Sequence, residues 1–203
     1  LTLCSPDPQA FRPPEEKDNV LQVTLPTNFK AARFPSDAHT AVLRQLEADI
    51  EAIRFDTGKG KVELPVKLKV HDSVFVPLAK WAMLLTGNYR CVQKSGMRSI
   101  RDAVHSDINA SREVYGWVVA LCQSLGASAS DMVPFEKYAN AAQSLLKPSS
   151  AARALAAGAQ NIERVDLVVQ TVAQLKGQRS ASVDETVELV NGWLAANRKK
   201  AGA

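Results

Sequence analysis

The spacing of apolar residues changes near Asp72, and this change constrains the fold more than any other sequence feature. Before it, apolar and charged residues alternate along residues 61–70, which is typical of a half-buried strand. After it, apolar residues recur every three or four positions, which is typical of packed helices. The sequence therefore predicts a mainly α protein in two domains. A short mixed α/β segment over residues 1–70 precedes a helical bundle of about six helices over residues 71–203.

The first part is predicted to contain strands and one helix. Residues 20–25 are β-rich, and residues 28–34 are their predicted hairpin partner. Ser36 or Asp37 caps a helix. Pro65 interrupts the alternating strand, so this strand is predicted to lie at a sheet edge. The apolar stripe of the helix consists of Val42, Leu43, Leu46, Ile50 and Ile53.

Start and stop signals divide the second part into helical segments. A capping box of Ser182 with Glu185 predicts the start of the last helix, and Ser106 or Asp107 is the predicted cap of the helix over residues 106–125. Gly126 and Gly177 predict the ends of two helices. The predicted segments are 72–88, a short helix around Ile100, 106–125, 135–146, 149–157, 162–175 and 182–197.

Composition excludes several classes of protein. No apolar run approaches the ~18 residues that span a bilayer, and no secretory signal is present, so no membrane association is expected. The three cysteines are far apart and suit neither a disulfide framework nor a zinc site, so a cytoplasmic location is the default expectation. The chain begins at Leu1, which predicts a fragment, a processed product or an excised domain. The proline-rich residues 5–14 are predicted to form a surface segment.

Several strong functional motifs are absent from the sequence. There is no G-x-G-x-x-G turn, no phosphate-binding P-loop, no H-E-x-x-H and no EF-hand loop, so no cofactor-binding or metal residues are assigned. The net charge of +4 is mild and lacks an interleaved aromatic stripe, which does not favour nucleic-acid binding.

The order of segments in the second part points to a family. A helix that begins at Asp72 carries Trp81 and Leu84, and a long helix then reads R-E-V-Y-G-W-V-V-A-L-C-Q-S-L-G over residues 112–126. A serine pair, Ser149 with Ser150, precedes the stretch N-I-E-R-V-D over residues 161–166. This order resembles the C-terminal domain of ketopantoate reductases, within the wider group similar to 6-phosphogluconate dehydrogenase C-terminal domains.

The resemblance implies a fold and an activity for the longer protein. Residues 1–70 would be the last strands and helix of a nucleotide-binding domain whose remainder precedes this chain. NADPH would deliver hydride to the ketone of a small 2-oxo acid, while a lysine protonates the developing alkoxide. The protein would be a homodimer, and this chain alone would be inactive.

The family pattern departs from this sequence at its functional positions. The family's W-x-K-L-x-x-N has Met83 at the lysine position and Gly87 at the asparagine position. Lys80 lies one turn earlier and is the candidate catalytic lysine, with Asn88 as a candidate substrate-binding residue. Glu163, offset by one from the family's glutamate, is the second catalytic candidate.

Each candidate also has a simpler structural interpretation. Ser150 fits the family's substrate-binding serine, but the Lys-Pro-Ser-Ser sequence is also a helix-capping signal. Lys80 is otherwise a solvent-facing lysine, and Glu163 otherwise complements a helix dipole. Arg98 and Arg101 are candidates for contact with an anionic substrate or for a salt bridge to Asp102.

Three functional hypotheses follow. The first is the substrate-binding part of an NADP-dependent 2-oxo acid reductase. The second is a non-catalytic helical interaction or assembly module that kept the fold and lost the catalytic residues. The third, a small basic nucleic-acid-binding protein, predicts steeply salt-dependent binding.

Overall fold

The computed structural model of the chain describes residues 10–11, 22–23, 27–64 and 66–202. The described chain is mainly helical with a few small strands. It divides into two compact units, a first unit of residues 1–77 and a second unit of residues 78–203. Most of the predicted surface segment at 5–14, and most of the predicted strand at 20–25, lie outside the described residues.

The first unit combines short strands with one long helix. Its described elements are β1 (Ala10–Phe11), β2 (Gln22–Val23), β3 (Thr27–Ala32), α1 (Asp37–Ala52), β4 (Arg54–Asp56), β5 (Lys61–Glu63) and β6 (Val66–His71). β1 pairs with β2 and β4 with β5, both in antiparallel fashion. β3 pairs with β6 in parallel, from Thr27 opposite Val66 to Ala32 opposite His71. The sequence β3–α1–β6 is thus a parallel crossover unit.

Two strand predictions are wrong. Among the described residues, β3 does not form the predicted hairpin with β2, because β2 pairs with β1 and β3 pairs in parallel with β6, the strand that follows α1. Residues 61–70 are two strands, because β5 turns back on β4 and only β6 joins β3. Gly58 (φ 77°) and Gly60 (φ 150°) form the intervening turn, where positive φ favours glycine.

The core of the first unit is small. It contains Ala31, Leu68 and Val70 from the parallel strands, with Phe29, Leu43 and Ile50 packed against them. Only part of the predicted apolar stripe of α1 is therefore buried against the core. Val42 is 69% exposed, and Leu46 and Ile53 are each 48% exposed, although Ser36 caps the helix as predicted by accepting a hydrogen bond from the His39 amide.

The second unit is built from helices. Its elements are α2 (Ala79–Met83), a π-helical turn (Leu84–Asn88), a 3₁₀ turn (Tyr89–Cys91), β7 (Val92–Gln93), β8 (Gly96–Met97), α3 (Ile100–His105), α4 (Ile108–Ser124), a 3₁₀ turn (Ala129–Asp131), α5 (Phe135–Ala142), α6 (Ser150–Ala156), α7 (Val165–Leu175) and α8 (Ala181–Ala201). The described residues thus contain eight α-helices, seven of them in this unit, compared with about six predicted. The small β7–β8 hairpin was not predicted.

The core of the second unit follows the predicted periodicity. Its most deeply buried large side chains come from six different elements, because each amphipathic helix directs one face inwards. They are Leu85, Val104, Val118, Leu121, Leu155, Val169, Val183 and Val190. Burial of a side chain of this size contributes about 1.5–3 kcal/mol.

The first predicted helix of the second part begins later than Asp72. The Ser73 hydroxyl accepts a hydrogen bond from the Phe75 amide at 3.2 Å, which holds the preceding residues in a turn. Asp72 pairs with Arg44 at 2.7 Å rather than capping the helix. A 3₁₀ turn then starts at Val76 and leads into α2.

The fifth helix ends before residue 146, the predicted limit. α5 ends at Ala142, and the chain then turns so that the Leu145 and Lys147 carbonyls accept hydrogen bonds from the amides of Arg101 and Ile100. Those amides belong to the first turn of α3, which has no intrahelical partners for them. α5 therefore ends where the chain turns to provide carbonyl acceptors for the first turn of α3.

The predicted capping box of the last helix is also wrong. α8 begins at Ala181 with Ser180 at its N-cap position, so Ser182 and Glu185 lie inside its first turns. The seventh helix begins at Val165 instead of Ile162. The predicted caps of α4 and α6 are confirmed, because the side chains of Asp107 and Ser149 accept hydrogen bonds from helical amides.

Candidate functional site

The helix that carries Lys80 and Asn88 widens in its last turn. Residues Leu84–Asn88 form a π-helical turn, in which the Tyr89 amide donates to the Leu84 carbonyl five residues earlier. Turns of this type occur frequently at functional sites. This turn contains Asn88 and follows Lys80, so the candidate site is described from it.

Gly87 occupies a crowded position of the turn. A Cβ atom added there would lie 2.0 Å from the Tyr138 hydroxyl oxygen and 3.1 Å from the Ile100 Cγ2 atom. The same hydroxyl donates a hydrogen bond of 3.0 Å to the Met83 carbonyl, and burial raises its pKa. The asparagine that the family pattern has at residue 87 would therefore not fit in this packing.

The turn is tied to the serine pair through the main chain of Asn88. The Ser149 hydroxyl donates to the Asn88 carbonyl at 2.7 Å and also caps α6 by accepting from the Ala152 amide at 3.2 Å. Ser150 is half-buried and begins α6 immediately afterwards. Two of the predicted substrate-binding residues, Asn88 and Ser150, thus belong to segments that a direct hydrogen bond joins.

Tyr89 connects the same turn to Glu163. Its hydroxyl donates to the Glu163 carbonyl at 2.5 Å and accepts from the Val165 amide at 3.0 Å. Burial raises the pKa of this hydroxyl, so it remains protonated and able to donate. The Glu163 residue itself is exposed, which means that its main chain meets the turn while its side chain is open to solvent.

Lys80 lies in α2 and is half-buried. None of the hydrogen bonds that join Asn88, Tyr89, Ser149 and Glu163 includes its ammonium group. Its catalytic role, and that of Glu163, stay predictions.

A buried ion pair fixes the segment after Glu163. Asp166 is fully buried, and Arg164 binds its carboxylate with Nε at 2.9 Å and Nη2 at 2.9 Å. Arg164 also donates to the Asn191 side chain of α8 at 2.7 Å. In the sequence, Arg164 and Asp166 were named only as part of the stretch N-I-E-R-V-D. The signal that could have indicated the ion pair was the Arg-x-Asp charge pattern directly before a helix. The pair lies at the N-terminus of α7, directly after Glu163.

Two further arginines were not recognised as a pair from the sequence. Arg90 follows the π turn, and Arg98 donates from Nε to its carbonyl at 2.9 Å. Because the residues are eight positions apart and join across the unpredicted β7–β8 hairpin, no local pattern indicated their proximity.

Within the described residues, no group of three or more histidine, cysteine or acidic side chains is arranged to bind a metal ion. In that same part of the chain, no helix combines the length and apolar character needed to cross a membrane. The sequence matches no protein-family model, and neither a curated protein nor a solved structure matches the chain.

Proposed function

We propose that this chain is the substrate-binding part of an NADP-dependent reductase of small 2-oxo acids, similar to ketopantoate reductase. The dinucleotide would be held by a nucleotide-binding domain that precedes the chain, since no glycine-rich phosphate-binding turn occurs within it. NADPH supplies hydride to the ketone, and Lys80 protonates the developing alkoxide. Asn88 and Ser150 bind the substrate, and Glu163 assists catalysis.

The observation that carries this proposal is the β3–α1–β6 unit. Parallel strands occur almost only in sheets covered on both faces, and a two-stranded sheet is at best marginally stable alone. Among the described residues the parallel ladder has two strands, and two apolar side chains of α1, Val42 and Leu46, are about half-exposed or more. Such a unit suits the edge of a larger doubly wound sheet, as the family's nucleotide-binding domain has.

The geometry of the π turn gives independent support. Asn88 and Tyr89 are adjacent, and their hydrogen bonds bring together the segments that contain Ser150 and Glu163. Two of the four proposed site residues, Asn88 and Glu163, accept these bonds through their carbonyls, and Ser150 directly follows Ser149. A site assembled from rigid helix ends can hold a substrate in a fixed orientation.

A second candidate function is favoured by Gly87 and Met83. The Tyr138 hydroxyl fills the space beside Gly87, and a thioether at residue 83 cannot donate a proton. These features suit a non-catalytic helical interaction module that kept the family's scaffold. This candidate predicts that no residue of the cluster affects a reductase activity.

The first experiment is to sequence the native coding region upstream of Leu1. A strand, a G-x-G-x-x-G turn and a helix in that region would support the reductase and justify assays of the full-length protein with NADPH, NADH and 2-oxo acids. Their absence would exclude the reductase and leave the interaction module.

The second experiment compares two lysine variants of the full-length protein. Lys80→Met is expected to lower kcat by roughly 10²–10⁴, the usual contribution of a general acid, with a smaller effect on KM. Lys94→Met is the matched control, because Lys94 is exposed in the turn between β7 and β8. Equal activity of the two variants would refute the role of Lys80. Sedimentation of the same protein tests the proposed homodimer.

A further inference from the structure

The outer face of α7 is apolar. On this face Leu167 is 39% exposed, Val168 is 47% exposed and Leu175 is 83% exposed. Thr171 is exposed between them, whereas the opposite side of the helix is buried in the core of the second unit. Because Leu167, Thr171 and Leu175 are four positions apart, they form one stripe along the helix.

This outer face of α7 carries no charge. The helix contains one ionisable side chain, that of Asp166, which is buried and paired with Arg164. Other long helices of the unit expose charged side chains, such as Glu113 in α4 and Glu185 in α8. An apolar surface depleted of charges is typical of the centre of a protein–protein interface. We therefore expect protein to cover the outer face of α7.

Charges of opposite sign flank the two ends of this face. Glu163 is exposed just before α7, and Lys176 and Arg179 are exposed just after it. None of these three side chains takes part in the ion pairs of the described residues. A complementary surface must be apolar in its centre, basic opposite Glu163 and acidic opposite Arg179. The same segment in the reverse direction has this distribution of charges.

A two-fold axis near Thr171 makes this surface complementary to itself. Leu167 and Leu175 lie at equal distances on either side of Thr171, each about 6 Å along the helix. In an antiparallel pair of α7 helices, Leu167 of each copy therefore meets Leu175 of the other. Glu163 and Arg179 are also equally far from Thr171 in the sequence, so each faces the other across the pair. Reciprocal contacts of this kind are the requirement for an isologous dimer.

A small groove borders the apolar face at the C-terminal end of α7. Its volume is about 310 Å³, and its lining residues are Gln174, Gly177, Gln178 and Arg179. In the antiparallel pair, Val168 of the second copy lies opposite Gln174. The groove thus provides space for an apolar side chain of the second copy.

We propose that α7 binds α7 of a second copy of this chain, in an antiparallel pair about a two-fold axis near Thr171. Because the contact centres on one helix, the interface is at the small end of the range for specific complexes, and the dimer dissociates at concentrations on the order of micromolar. The inference gives the proposed homodimer an interface. It does not rest on the reductase activity, which the Lys80 variants test separately.

Analytical ultracentrifugation of the chain across the micromolar range tests the association. The native chain is expected to dimerise as its concentration rises. Leu175→Asp is expected to raise the dimer Kd about a hundredfold or more, because each dimer loses two buried leucine contacts. Leu146→Asp is the matched control, since Leu146 is 61% exposed outside α7, and it is expected to leave Kd unchanged. Both variants are expected to remain folded by tryptophan fluorescence.

Charge reversal tests the antiparallel orientation. Arg179→Glu places two acids opposite each other and is expected to raise Kd severalfold. The addition of Glu163→Arg restores opposite charges across the pair and is expected to recover most of the affinity. A parallel pair would not show this recovery, because residues 163 and 179 would then lie at opposite ends.

Cross-linking tests the position of the two-fold axis. Thr171→Cys in a Cys4→Ser background is expected to form a disulfide between two copies under mild oxidation, because residue 171 meets its own counterpart at the axis. Gln123→Cys in the same background is the control, since Gln123 is exposed on α4, and it is expected to cross-link far more slowly.

Three outcomes would overturn the proposal. The first is a chain that stays monomeric throughout the micromolar range. The second is a dimer that Leu175→Asp leaves unchanged, since that dimer uses another surface. The third is equal cross-linking of Thr171→Cys and Gln123→Cys, which would place the axis elsewhere.

Discussion

Replacing Gly87 with alanine introduces a Cβ atom where the Tyr138 hydroxyl leaves no room. Relief of this contact, from 2.0 Å to an ordinary 3.4 Å, requires a shift of about 1.4 Å. Tyr138 is 6% exposed and donates to the Met83 carbonyl, so the ring cannot move without disturbing its own packing and hydrogen bond. Overpacking of a core costs about 1–3 kcal/mol, and a lost hydrogen bond about 1 kcal/mol more.

Alanine also has a helix-forming advantage of up to about 1 kcal/mol over glycine. The net expectation is therefore that Gly87→Ala lowers the free energy of unfolding by about 2 kcal/mol. Gly116→Ala is the matched control, because Gly116 is exposed within α4 and nothing lies within 4 Å of its added Cβ. This control is expected to stabilise the chain by about 0.5–1 kcal/mol.

Urea unfolding followed by tryptophan fluorescence measures both variants. The three tryptophans, Trp81, Trp117 and Trp193, all belong to the second unit, so the signal reports on that unit. The effect of Gly87→Ala should shrink in a Tyr138→Phe background, which removes the clashing oxygen. A rise in the urea midpoint for Gly87→Ala, as for the control, would refute the close approach of residues 87 and 138.

Three further predictions concern the same unit. Tyr89→Phe removes the hydroxyl that binds the Glu163 carbonyl and is expected to lower the free energy of unfolding by about 1–3 kcal/mol, as urea titration would show; an unchanged midpoint would contradict the contact. Ser149→Ala loses both the cap of α6 and the bond to the Asn88 carbonyl, so the free energy of unfolding is expected to fall by about 1–3 kcal/mol. Ser149→Thr keeps a hydroxyl group and is expected to lose less of this free energy. Burial raises the pKa of the Cys122 thiol from 9.0 to about 11, so its neutral form stabilises the fold below pH 9 and this contribution is lost between pH 9 and 11. The native chain should therefore lose more stability than Cys122→Ala over that range. Parallel plots of the free energy of unfolding against pH for the two proteins would rule this out.

Helical periodicity located most of the second unit correctly. α4 and its Asp107 cap, and α6 with its Ser149 cap, lie where the sequence signals placed them. Such signals depend on neighbours within one turn, so a single sequence is sufficient to detect them. The limits of α5 and α7 were less accurate, because carbonyl groups near them bond to distant segments.

The candidate site was predictable only in part. The serine pair and Asn88 were named from a family pattern, and the hydrogen bond that joins Ser149 to Asn88 spans 61 positions of sequence. The pairing of Arg90 with Arg98 had no local signature. Lys80 and Glu163 were chosen because they lie near the lysine and glutamate positions of the family pattern, and their roles stay predictions that the full-length protein must test.

The sequence by itself determined the mainly helical character, the change near residue 70 and most of the core positions, because apolar spacing is a local property. Only the tertiary structure decided which strand pairs with β3, how the helix widens at Leu84–Asn88 and why Gly87 is glycine. Each of these depends on groups far away in the chain, such as the Tyr138 hydroxyl that reaches the Met83 carbonyl across 55 positions. The physical reason is that packing and hydrogen-bond satisfaction act through space, whereas periodicity records only which face of an element turns inwards.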